Sequence, residues 1–322
     1  MSEERPPLTG DDDGDLEAVR EALDDLRREI QVRFKGGGDA ADGPPAYEEL
    51  FNELRRRVAT LGMSERSGEV DEFGMDEAVL QRARAVLDFL SDRYWRADLG
   101  GFEQLPTQGP VLLVANRSGL LPYDGLMLAH SVERVRPELG RPRFTVADWL
   151  VTLPFAQPYL ARVGGVRACR ENVERLLATG RSVVVFPEGV KGAAKVFRDR
   201  YRLQRFGRGG VIRVAIESGI PLVPVGVVGA EEAHPVLFKW VPPGRPLPFV
   251  PVTPTFPLLG PLGVLPLPTK WVIRAGAPVD LSDLSPDAAR DELLLSRLTE
   301  DLRAEIQALV DLGLSERESV WG

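Results

Sequence analysis

Charged side chains stand where apolar runs stop at three places in this 322-residue chain. One is SVVVFPEGVKG, Ser182 to Gly192, where a β-branched run enters Phe186-Pro187-Glu188-Gly189 and then Lys191. Proline and glycine fix a tight turn there. Glu188 is therefore expected just past the carboxyl end of a strand, the edge at which open α/β sheets take ligands. The glycine-lysine phosphate loop of nucleotide-binding proteins, with Ser or Thr after its lysine, is not present.

The next is VANRSGLLPYDG, Val114 to Gly125. It reads as a buried strand, a polar turn carrying Asn116, Arg117 and Ser118, and a helix that opens at Asp124. An aspartate there is a helix N-cap, an acid in a site, or both. Arg117 cannot take a proton at any working pH.

The last is KGAAKVFRDRYRLQRFGRGGVIR, Lys191 to Arg213, with eight cations against Asp199, or +7 over 23 residues. Its FGRGG leads into a helix, so backbone N–H groups add to the positive field. Such a run is a solvated face or a phosphate site. The interleaved phenylalanines, glycines and Tyr201 favour phosphate, with Lys191, Arg205 and Arg208 among the candidate ligands. No nucleic-acid motif appears and the domain as a whole is not basic, which argues against a nucleic-acid partner. In GGVRACRENVERLL, Arg167 and Arg170 precede a helix and read equally well as phosphate ligands or as surface. GIPLVPVGVVGAEEAHP reads as a buried strand entry, with its prolines at edge or bulge positions.

The elements that must position these groups alternate. Strand candidates lie at 111–116, 144–148, 182–186, 222–228 and 271–276. GLMLAHSVERV, ENVERLLATG and GVIRVAIESG are helical between them, two of these ending at Gly180 and Gly219 as helices do at C′. Continuous apolar strands alternating with helices predict an α/β fold with a mainly parallel sheet covered by helices. No internal repeat is present.

Around this core, residues 1–45 carry 13 acids and 6 bases, so nearly all of the chain's net charge of −8 sits in an arm expected to be disordered. Residues 46–62 and about Asp76 to Arg96 predict two helices, the second with Val79, Ala83, Val86, Leu87, Leu90 and Tyr94 on one face. Together they make an expected helical cap over 46–100, before an α/β domain at 101–285. Residues 236–269 are dense in proline and read as a covering loop or as a greasy surface against a bilayer or acyl chain. The segment 286–322 is expected to pack a helix, about Pro286 to Leu312, on the domain. A single cysteine, Cys169, permits no disulfide within the chain and favours a reducing compartment. The N-terminus reads as no signal peptide. No run of about 18 apolar residues predicts a membrane span, so any membrane contact is expected to be peripheral. Two histidines and one cysteine offer no metal cluster, and no metal is expected.

In their order and spacing, these blocks resemble those of the phospholipid/glycerol acyltransferases, the lysophosphatidate acyltransferase-like family, from about Tyr94 to Pro278. FPEG is the most specific element; GGVRACR resembles the family's second block and IPLVPVGV its fourth. The resemblance implies a glycerolipid acyltransferase-like fold. It also implies transfer of a fatty acyl group from an acyl thioester, on coenzyme A or acyl carrier protein, to the hydroxyl of a lysophospholipid or glycerol phosphate, with no further cofactor. Members use a histidine as general base, oriented by an aspartate. Carried over, Asp124 is the orienting acid and Arg117 stands at the histidine's position, six residues separating them. Asn116, Ser118, Phe186, Pro187, Glu188, Gly189, Lys191, Arg205 and Arg208 become substrate-binding residues, with Arg167 or Arg170 on phosphate. A working enzyme then needs a substitute base: Asp124, His234 or a water. The alternatives are a catalytically inactive relative that binds lysolipid or acyl carrier, and a protein that serves a partner enzyme, with Arg117 turned into a phosphate ligand. The expected location is cytoplasmic, at the inner face of the membrane.

Overall fold

The computed structural model describes residues 70–119, 121–151, 157–240, 249–254, 256 and 265–321. The expected arm at 1–45 and helix at 46–62 lie outside them. In chain order the elements are α1 (Glu77–Phe89), β1 (Asp98–Gly100), β2 (Leu112–Ala115), α2 (Tyr123–Val135), β3 (Arg143–Val146), α3 (Asp148–Val151), α4 (Gln157–Arg162), β4 (Gly165–Arg167), α5 (Arg170–Ala178), β5 (Val183–Val185), α6 (Gly189–Ala193), α7 (Gly210–Ser218), β6 (Leu222–Val228), α8 (Ala230–Ala233), β7 (Phe238–Trp240), β8 (Val250–Val252), β9 (Val272–Ala275) and α9 (Glu292–Glu316).

One sheet has the order β1-β9-β6-β2-β5-β3-β4. From β6 to β4 every pairing is parallel, while β9 meets β6 antiparallel and β1 runs parallel to β9. The mainly parallel sheet flanked by helices is thus present, with a reversed edge. β2 and β5 have no exposed residue, as expected of strands covered on both faces. Alternate side chains feed two cores. Leu113, Ala115 and Val184 pack with α1 and α2 on one face; Leu112, Val114, Val183 and Val185 pack with α5, α7 and α9 on the other.

Local signals account for most boundaries. Asp76 caps α1 by accepting from the Val79 amide at 3.1 Å, and the face running from Val79 to Tyr94 is buried. The helix expected to reach Arg96 leaves α-geometry at Leu90 and ends in a π-helical turn to Tyr94. The expected C-terminal helix divides. Pro286–Arg290 form a 3₁₀ turn, and α9 begins after Asp291, whose carboxylate accepts from Leu293 and Leu294. α9 lies across β6 so closely that a Cβ on Gly226 would stand 2.7 Å from the Leu309 carbonyl carbon.

Within the proline-rich stretch, β7 and β8 form a separate two-stranded antiparallel ladder. Pro251 is tolerated because, among the described residues, that ladder has no further strand to feed. Phe238 and Trp240 on it are 62% and 53% exposed. The far end of the stretch is tied down: Tyr94 donates to the Pro266 carbonyl at 2.6 Å and Trp95 to that of Leu267 at 3.1 Å. Trp95 stacks on Trp271, both fully buried, with ring centroids 4.4 Å apart.

Candidate active site

Strand register builds the site. Val114 of β2 stands opposite Val185 of β5, so the residues that leave the two strands emerge side by side. Arg117 and Ser118 follow one strand, Glu188 the other. The Arg117 amide donates to Glu188 Oε1 at 2.7 Å, and the Gln204 amide to Glu188 Oε2 at 2.6 Å. The Glu188 side chain is 0% exposed. α6 then passes so close that a Cβ on Gly192 would lie 2.6 Å from that of Glu188 and 2.8 Å from that of Arg117. Only a glycine lets these backbones meet.

Arg117 turns its guanidinium toward α2. Nη1 donates to Asp124 Oδ1 at 2.8 Å, and the group lies over the Phe186 ring at 4.9 Å. Asp124 is not the cap of α2, which opens one residue earlier with Pro122 in the cap position. Its carboxylate instead folds the preceding loop onto the helix. Oδ1 also accepts from the Gly125 amide at 2.8 Å, and Oδ2 accepts from Ser118 at 2.9 Å. Burial pushes the Asp124 carboxyl above its ordinary value, against the pull of Arg117, the two amides and Lys195. With 1% exposure and three donors, it is enclosed.

Asn116, expected among the substrate ligands, is fully buried and spends its amide on β6: Nδ2 donates to the Val227 carbonyl at 2.9 Å and Oδ1 accepts from the Val227 amide at 2.7 Å. It clasps two strand ends, and Nδ2 also reaches the Ser118 hydroxyl at 3.4 Å. Arg167 and Arg170 are exposed and stand apart from the Arg117–Asp124 pair. Arg167 pairs with Asp148, and Arg170 with Glu174 and Glu217. Arg170 does share something with Phe186, Pro187 and Arg208: all four line a largely apolar pocket of about 290 Å³ between the sheet, α5, α7 and α9. Lys191, Gly189, Arg205 and Arg208 are exposed on the segments that follow β5.

The sequence reading missed a second set of charges. Lys195 Nζ lies 2.8 Å from Glu231 Oε1 and 3.5 Å from Glu188 Oε2, with all three side chains buried. Burial works against the Lys195 ammonium, but Glu231 and Glu188 outweigh it and hold its proton more tightly than usual. Glu231 Oε2 accepts from the Tyr201 amide at 3.1 Å. Burial drives the Glu231 carboxyl from 4.5 up to about 7, despite Lys195. Beside it, the Tyr201 hydroxyl bonds Glu232, which Arg317 grips with both nitrogens at 2.7 and 2.8 Å. The signal that was available is GAEEAHP: two acids directly after an apolar strand, on the same sheet edge as Glu188. Glu231, Lys195, His234, Ser118, Gly119 and Gly192 line a small cleft. The His234 ring stacks on that of Tyr123 at 5.5 Å. The other histidine, His130, is buried against Asp88 of α1, with Nε2 3.1 Å from Oδ1.

Among the described residues, no three histidine, cysteine or acidic side chains cluster to hold a metal ion. No helix there is long and apolar enough to cross a membrane.

The acyltransferase family model matches residues 96–228, the stretch that holds this sheet edge, the Phe-Pro-Glu-Gly turn and the buried acid. An uncharacterized protein of Mycobacterium tuberculosis is 36% identical over 99% of this chain and 90% of its own length, and one of Mycobacterium leprae is 37% identical over 99% and 89%. The chain belongs to one family with these mycobacterial proteins. A chloroplast protein of Arabidopsis thaliana, phytyl ester synthase 2, is 32% identical over 139 residues, 40% of this chain and 19% of that one. The solved 1-acyl-sn-glycerophosphate acyltransferase of Thermotoga maritima matches with a TM-score of 0.49 at 17% identity, over 85% of this chain and 98% of that one.

Proposed function

We propose that the chain transfers a fatty acyl group from an acyl thioester, on coenzyme A or acyl carrier protein, to the hydroxyl of a lysophospholipid or glycerol phosphate. The observation that carries this reading is the knot in which Arg117, Asp124 and Glu188 meet at the ends of β2 and β5, inside the matched acyltransferase domain. The knot fixes Arg117 as a preset positive charge. A guanidinium stays protonated throughout, so its part is electrostatic: it stabilises negative charge that develops on the thioester carbonyl oxygen. The exposed Lys191, Arg205 and Arg208 offer charge to the acceptor's phosphate. A peripheral membrane contact, at the inner face in the cytoplasm, fits the exposed Phe238 and Trp240 flanking Lys239.

A second reading draws on the same ion pair. Arg117 cannot take a proton and Asp124 is enclosed, so a relative that binds lysolipid or acyl carrier without turnover also fits.

Radiolabelled acyl-coenzyme A, offered with lysophospholipids, glycerol 3-phosphate and a long-chain alcohol, separates the readings. The alcohol is included because of the likeness to a phytyl ester synthase. Labelled ester above that of an Asp124→Asn control supports transfer. Retained lipid with no labelled ester supports the binding protein.

A further inference from the structure

We propose that Glu231 is the general base of this site, taking the acceptor's proton across the cleft from the loop that carries Arg117. The inference rests on the acyl-transfer reading above.

Three observations carry it. First, the base position on β2 is occupied by a permanent cation, and its neighbour Asp124 is enclosed by Arg117, Ser118 and Gly125. Second, Glu231 borders the cleft that Ser118, Gly119 and Gly192 also line. The cleft measures about 10 Å³, close to the room that one water needs. A hydroxyl group is of that size, so the acceptor's O–H fits where its lipid chain does not. Third, the carboxylate is held in place. Lys195 fixes Oε1 at 2.8 Å and the Tyr201 amide fixes Oε2 at 3.1 Å. Each oxygen keeps a second lone-pair direction.

The groups that face Glu231 are Lys195 and Glu188 from the β5 side, Tyr201 from the following loop, and His234 along the cleft. Glu232 is turned away and neutralised by Arg317. Burial without full charge compensation leaves the Glu231 carboxyl near neutrality, where a general base works best. A carboxylate of raised pKa is the stronger base toward a hydroxyl.

The step balances. The acceptor O–H proton passes to a Glu231 oxygen as the acceptor oxygen bonds to the thioester carbonyl carbon. The C–S bond then breaks, and the thiolate leaves with the proton that Glu231 returns. An ester and a free thiol are formed.

The test is the pH profile of acyl transfer by the full chain and two variants. The unmodified protein is expected to gain rate as pH rises through about 7. Glu231→Gln keeps the shape and is expected to lower kcat about 10²–10⁴-fold, leave KM near its original value, and erase that limb. Lys195→Gln removes the cation that favours the carboxylate, so the limb is expected to move to higher pH. This second variant decides the matter if Glu231→Gln fails to fold. No transfer by the unmodified chain overturns the acyl-transfer reading and the base with it. Transfer whose limb near neutrality is unmoved in Lys195→Gln, or a Glu231→Gln enzyme of unchanged kcat, overturns the base alone.

Discussion

Glu188 Oε1 accepts the backbone amide of Arg117, 71 residues earlier in the chain, at 2.7 Å. One buried carboxylate thereby ties the turn after β5 to the turn after β2. Its other oxygen holds the Gln204 amide and faces Lys195. Hydrogen bonds to a charged group are each worth about 1.5–3 kcal/mol, and an amide left bare costs as much again. Glu188→Ala is therefore expected to lower stability by about 3–5 kcal/mol. Glu188→Gln, which keeps one acceptor oxygen, is expected to lose less. Urea unfolding at neutral pH measures both.

Gly192 offers a purely steric test of the same knot. A methyl group there meets Glu188 and Arg117 Cβ atoms at 2.6 and 2.8 Å. Gly192→Ala is expected to cost about 1–3 kcal/mol through overpacking, and to lose activity beyond its loss of stability because the turns are forced apart. Gly207 is the control. A Cβ there has nothing within 4 Å, so Gly207→Ala is expected to leave thermal unfolding nearly unchanged.

The buried Arg117–Asp124 pair predicts a strongly non-additive cycle. Removing either partner leaves a charge with 5% or 1% side-chain exposure uncompensated. Arg117→Met and Asp124→Asn are each expected to cost about 3–5 kcal/mol. The double variant is expected to cost much less than their sum, because neither charge then remains buried alone. The exposed Arg167–Asp148 pair, at 59% and 58%, is the contrast: Arg167→Ala is expected to change stability by less than about 1 kcal/mol.

How much of this was legible follows from the range of each interaction. The central strands announce themselves because burial on both faces demands unbroken apolar runs, as in Val183–Val185. Glu188 is legible because proline and glycine around it encode the turn. β1 and β4 are edge strands of three residues and carry too little pattern to register. Asn116 looks like a ligand from its neighbours, but its partner Val227 lies 111 residues on. Glu231 and Glu232 look like a solvated turn. What buries them is Lys195, Tyr201 and Arg317, none of which is local in sequence. Apolar periodicity therefore predicted the scaffold, whereas the charge network depends on the strand order, which no local pattern states.

That network predicts an inverted stability profile. The Glu231 carboxyl rises from 4.5 to about 7 on folding, chiefly through burial. Between those values the folded chain binds more protons than the unfolded one, so stability falls as pH rises. The protonated acid costs nothing below about 4.5, and the full cost of a buried carboxylate is reached above about 7. Asp124, also pushed up by burial, adds with the same sign. Lys195 does not change the slope in this window: its proton is held more tightly in the fold, a stabilising contribution that is constant here and is lost only at far more alkaline pH. The net loss across the window is expected to be on the order of a few kcal/mol. Glu231→Gln cannot ionise, so it is expected to flatten the profile; it also leaves buried Lys195 with only the Glu188 carboxylate, 3.5 Å away, as its paired charge, so the flattened curve is expected to lie below that of the unmodified chain at acid pH. Denaturant midpoints from about pH 4.5 to about pH 8 check this, and a midpoint that climbs steadily with pH would count against a strained carboxylate at Glu231.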